Sequence, residues 1–152
     1  MPEILATNVA TVGSTGIALG GNTWATFRDD NTGNHLDTSS DGTDLGVRQY
    51  VARGNTFIII YRVFFEFDTS GITTAPSAAT LKIYGRSNNA GDFFVVRGSQ
   101  GTGAPDTADF DAITGWDPSG AAAQGDGSGT QEGNVTKYSD ERQLWSTSGY
   151  NN

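Results

Sequence analysis

The sequence predicts an all-β protein: an antiparallel two-sheet β-sandwich of the jelly-roll type, with one or two single-turn helices and long Gly-rich loops. Three observations carry this. Glycine supplies 21 of 152 residues, about twice ordinary usage, amid abundant Ser, Thr, Asn and Asp, while strong helix formers are scarce. The run FIIIYRVFFEF, residues 57–67, alternates with period two and is rich in β-branched and aromatic residues, which marks a strand. Several shorter candidate strands flank it, separated by turn residues, and no internal repeat is visible.

Taken along the chain, the start MPEILATNVATVGSTGIALGG carries Glu3 where a secretory leader has basic residues. It also lacks an apolar core of sufficient length, so the expectation is a protein made without export. TWATFR (23–28) is a weak strand candidate, since Trp24 and Phe27 fall out of phase. LGVRQYV (45–51) alternates Leu45, Val47, Gln49 and Val51 against Arg48 and Tyr50. In the run 57–67, Phe57, Ile59, Tyr61, Val63, Phe65 and Phe67 form one uniformly apolar face, expected to lie against a second sheet. The other face is apolar at Ile58 and Ile60, which should be covered by a long loop or another subunit. At about 3.3 Å per residue the run would extend roughly 36 Å, so a bulge near Tyr61 and Arg62 is expected. It is about half the ~20 apolar residues of a spanning helix, with Arg62 at its middle.

Further on, ATLKIYG (79–85) should place Ala79, Leu81 and Ile83 inside. DFFVVRG (92–98) is apolar on both faces, and NVTKY (134–138) is a short strand candidate. Thr107 is positioned to cap a turn of helix over ADFDAI, and Ser139 one over DERQLW. Between them DPSGAAAQGDGSGTQEG (117–133) has no residue suited to a core and reads as a loop. The length fits one domain, either residues 1–152 alone or the N-terminal part of a longer protein.

Composition excludes much chemistry. There is no cysteine, hence no disulfide or thiolate site, and the one histidine, His35, excludes multi-histidine zinc. A net charge of −8 disfavours nucleic acid and anionic lipid as partners.

The segment YRVFFEFDTSGITTAPSAATLKIYG (61–85) has a distinctive order: a long strand ending F-x-F-D, a small-residue turn, an isoleucine, then S-A-x-L-K-I-Y. It resembles the jelly-roll domain known by its DNRLRE motif, akin to carbohydrate-binding modules. Arg62, Phe67, Asp68, Ser70, Ile72, Ser77, Ala78, Leu81 and Tyr84 stand at matching positions. The likeness covers one sixth of the chain, and the literal naming motif is absent. By this likeness the last strands of the jelly roll are expected to be absent: the sandwich closes without them, a partner donates a strand, or the chain is a fragment of a longer protein. The likeness also implies the setting of such domains: structural proteins of tailed phages and bacterial surface proteins. Asp68 and Ser70 are expected to bond turn amides, with Ile72 tucking the crossing loop onto the sandwich.

Three constellations are candidate sites. DTSSDGTD (37–44) places Asp37, Ser39 and Asp41 at alternate positions before a glycine, the front half of a calcium loop. Asp44, Asp29 or Asp30 would complete the shell, whereas Arg48 stands where the bidentate acid belongs; the competing reading is a solvated acidic loop. Glu66 and Asp68 are spaced like paired glycosidase carboxylates. Gly71 stands where a third acid would complete that pattern, so turn capping by Asp68 is the better account. Among the aromatics Trp24, Tyr50, Tyr84, Trp116, Trp145 and Tyr150, Trp116 and Tyr84 are the candidates for stacking on a glycan, against the alternative of core or rim packing.

The expectation is a non-enzymatic protein of a tailed-phage virion, on capsid or tail surface. It would be homo-oligomeric, in contact with other virion proteins and with host glycan, without nucleic acid or membrane contact; calcium is the one candidate cofactor. The alternative is a carbohydrate-binding module of a secreted, extracellular bacterial protein.

Overall fold

The computed structural model describes residues 3–39, 43–83, 85–86, 91–93, 95–101, 103–116, 143–145 and 150–151. Its centre is one antiparallel sheet in the order β2-β1-β4-β3. Strand β1 spans Ala6–Ile17, β2 His35–Asp37, β3 Gly46–Ala52 and β4 Asn55–Phe67. Two short ladders lie further along. β5 (Gly85–Arg86) pairs with β8 (Tyr150–Asn151), and β6 (Gly91–Phe93) pairs with β7 (Gln143–Trp145). The protein is mostly β, as composition and alternation predict.

The run 57–67 forms β4 together with Asn55 and Thr56, and it is a central strand. Its pairing with β1 is continuous from Asn8↔Glu66 to Ile17↔Phe57. The expected irregularity at Tyr61 and Arg62 is absent; it lies at Thr7, between Ala6 and Asn8. Strand β1, which the sequence reading passed over, is built mostly from Val, Thr, Ala, Ser and Gly, with Asn8 and Ile17. Such small and β-branched side chains suit a strand crossed closely by other elements.

The core lies on the Ile58 and Ile60 face of the sheet, where the sequence calls for cover. Directly paired residues share a face, so Ala10, Val12, Ser14 and Gly16 of β1 lie beside Phe64, Arg62, Ile60 and Ile58 of β4. The core is Val12, Ile58, Ile60 and Phe64 with Phe27 and Phe110 laid across them. Burying each such apolar side chain is worth ~1.5–3 kcal/mol. The cover that Ile58 and Ile60 require comes from this chain itself, through a short helix and a 3₁₀ turn rather than through a long loop or a second subunit.

The helix α1 (Trp24–Arg28) occupies the stretch read as a weak strand. Trp24 and Phe27, out of phase for a strand, are spaced three apart as helical neighbours. The Thr26 hydroxyl accepts from the Thr23 N–H at 3.1 Å and closes the first turn. Phe27 then rests where Gly16 sits; a Cβ on Gly16 would lie 2.5 Å from its ring. The 3₁₀ turn Thr107–Asp111 is present as expected, but its cap is Asp106, whose carboxylate accepts from the Ala108 N–H at 2.7 Å. Phe110 on this turn is fully buried.

Two other expectations are corrected. Residues 79–83 join no ladder, Ala79 is exposed and Leu81 is 40% exposed, so that stretch is not an inward-facing strand. Gln143–Trp145 pairs as β7 rather than continuing a helix from Ser139; Ser139 itself, the loop 117–133 and NVTKY lie outside the described residues.

Candidate functional site

Arg62 is a charged group set against the core on the covered face of the sheet. β4 aims it into the layer between sheet and helices, where its guanidinium donates to the Phe110 carbonyl and, at 2.9 Å, to the Arg28 carbonyl. Its plane lies 4.0 Å from the Phe110 ring centroid and 4.7 Å from that of Trp116. Burial pushes its pKa down to about 10, opposed by the charges of Asp111 and Asp29, so it remains cationic at neutral pH. One side chain thus closes the last turn of α1, caps the 3₁₀ turn and carries two aromatic rings. This is a clamp between elements. Nearby, Ser14 donates to the Asp30 carboxylate, and Arg28 pairs with Asp29 at 2.7 Å.

This geometry decides the position of Trp116, a candidate for glycan stacking set against the alternative of packing. The residue is half-buried with its ring against Arg62, and its indole N–H is buried without an acceptor among the described residues. Its other proposed stacking partner, Tyr84, lies outside the described residues. Trp24 donates its indole N–H to Gln49 at 2.9 Å.

The acidic loop divides. The Asp37 carboxylate accepts from the Ser39 N–H at 2.8 Å, and Ser39 holds the Asp37 carboxyl below its ordinary value, through its hydroxyl first and its backbone second. Asp44 engages through its backbone, exchanging hydrogen bonds with the buried Thr11 hydroxyl at 2.8 and 3.0 Å. Asp29 and Asp30 are turned to Arg28 and Ser14. Asp41 lies outside the described residues, among which no three His, Asp or Glu side chains are grouped to hold a metal.

Two local hydrogen bonds cross the turn after β4. The Asp68 carboxylate accepts from the Ser70 N–H at 2.9 Å, and the half-buried Ile72 closes the turn onto the Thr69 carbonyl at 2.9 Å. Ser70 holds the exposed Asp68 carboxyl below its ordinary value. Glu66 instead accepts from the Asn8 side chain on the neighbouring strand, so the two acids serve separate structural contacts.

The remaining feature is the far face of the sheet. It carries Phe57, Ile59, Tyr61, Val63 and Phe65 of β4, Tyr50 of β3 and Val9 of β1, all half-buried. Tyr50 stacks on Phe57 with centroids 5.0 Å apart, and His35 leans on Tyr61 at 4.8 Å. Burial raises the Tyr61 pKa, and the Asp44 charge adds to the shift. Among the described helices and strands outside this sheet, those with the main contacts to β1 and β4 are α1 and the 3₁₀ turn, which carry Phe27 and Phe110 on the opposite face. Among the described residues no helix is long and apolar enough to cross a membrane. Comparison with known proteins returned no matching family model, no matching curated protein and no matching solved structure.

Proposed function

We propose that the chain is a non-catalytic structural protein that works by association, as a surface component of a larger particle. The setting that the resemblance names is the capsid or tail of a tailed phage, with copies of the chain, other virion proteins and host glycan as contacts. The carrying observation is the sheet's second face: a continuous apolar and aromatic row that is only partly buried, whereas the chain's own helices seal the opposite face. Contiguous apolar surface of this kind marks interaction sites. The jelly-roll reading belongs with this proposal, since it calls for a second sheet against that row. The short ladders β5–β8 and β6–β7 are candidate parts of such a sheet, completed within the chain or by a partner's strand.

The carbohydrate-module alternative needs an open aromatic platform. Trp116, packed on Arg62, supplies less of one than the sequence suggested, which favours association. Light scattering and electron microscopy of the full chain, with Ile59→Ser and Phe65→Ser beside the parent, test the proposal. A trimer or regular array that these substitutions weaken supports it, and a monomer at all concentrations contradicts it.

A further inference from the structure

The two edges of the main sheet are treated differently. The β2 edge is closed: β2 has three residues, and beyond it the Asn34 side chain accepts from the Thr15 N–H at 3.0 Å and donates to the Thr15 carbonyl at 2.7 Å. A side-chain amide there replaces a strand. The β3 edge has no such device. It runs for seven residues, Gly46–Ala52, without proline, lysine or a bulge, and no described strand pairs with its outer side. Long open edges of this kind are templates for pairing with another chain.

The register of β3 identifies which groups are free. Ala52 and Asn55 face each other across a two-residue loop, Arg53 and Gly54, whose φ values are 51° and 77°. Two positive φ values make a type I′ turn, whose flanking pair exchanges both backbone hydrogen bonds. Independently, the Thr56 carbonyl accepts from the Ala18 N–H at 2.8 Å, which turns Thr56 towards β1. By alternation Ala52, Tyr50 and Arg48 bond to β4, while Val51, Gln49 and Val47 point their N–H and C=O groups outwards. Val47 and Val51 are each 71% exposed.

The strip GVRQYVA is self-complementary about Gln49. An antiparallel second copy centred there pairs Gln49 with Gln49, Val47 with Val51 and Arg48 with Tyr50. The three outward residues on each copy then meet as hydrogen-bonded pairs, giving six backbone bonds. Arg48, the only charge on the strand, faces a tyrosine ring and not its own copy; it already lies 4.6 Å from the Tyr50 centroid within one chain. We infer that β3 is a homodimerisation edge, joining two copies into an eight-stranded sheet across a two-fold axis at Gln49. This deepens the association reading by naming one contact, and it extends the apolar face of each copy into the next.

The chain has no cysteine, so introduced cysteines report cleanly. Gln49→Cys should form a dimeric disulfide, because paired Cα atoms in this register are about 5.5 Å apart. Arg53→Cys should not, because its copy would lie roughly 26 Å away along the strand. Val47→Pro removes an N–H that β4 does not use, so circular dichroism should be unchanged while the dimer dissociation constant rises at least tenfold. Failure of Gln49→Cys to crosslink in preference to Arg53→Cys overturns the inference. So does an unchanged oligomer in Val47→Pro. An oligomer that survives both results retains the association reading without the β3 contact. A β3 dimer insensitive to Ile59→Ser and Phe65→Ser retains the contact but removes the apolar face from assembly.

Discussion

At the scale of single residues, Arg62 carries the most structure. Its removal orphans the carbonyls of Phe110 and Arg28 and strips a cation from two aromatic rings. Arg62→Ala should cost about 2–4 kcal/mol, from carbonyls that lose a charged donor and the lost contact with two rings. Arg62→Lys should recover little, because one ammonium cannot reproduce the planar fork and the stacking together. Urea unfolding of both variants measures this, and a loss under about 1 kcal/mol would remove the clamp role. Asp37 and Asp68 contribute differently. Both folded pKa values are depressed below 3.8 by serine hydrogen bonds, so their stabilisation is present above that pH and lost as pH falls through it. The double variant Asp37→Asn/Asp68→Asn should melt below the parent at pH 6, with the gap closing towards pH 3; a gap independent of pH would contradict the assignment.

At the scale of elements, the β3–β4 hairpin places Arg53 at a positive φ of 51°, a region that favours glycine and asparagine. Arg53→Asn should therefore stabilise the protein by about 1 kcal/mol, read as a raised melting temperature; a lowered one would mean the arginine makes a compensating contact. β4 was legible because alternation over eleven residues is unmistakable. The orientation of β4 was not. Both of its faces are apolar near Ile58, and the deciding partners, Phe27 and Phe110, come from residues distant in sequence. α1 was misread because five residues offer too little periodicity to outweigh a β-branched neighbour. β1 was missed because its small side chains carry little hydrophobic signal, although Val9, Thr11, Thr15 and Ile17 alternate in phase. The bond from the Ser70 N–H to Asp68 is local, so both residues that make it stand together in the sequence. The role of Arg62 depends on carbonyls from two separate segments, which no local pattern contains.

At the scale of the whole molecule, one sheet divides two tasks between its faces. The face of Ile58, Ile60 and Phe64 is sealed by helices and pinned by Arg62. The face of Phe57 to Phe65 is only partly buried and no described strand pairs with the outer side of β3, the two surfaces proposed above for association. Each chain carries a net charge of −8, so association of copies works against long-range repulsion and should strengthen as salt screens it. The most direct test is the molar mass of the full chain in solution, measured by light scattering across concentration and salt. Association predicts an oligomer whose mass rises with concentration and with salt. A single-chain mass under every condition would contradict it.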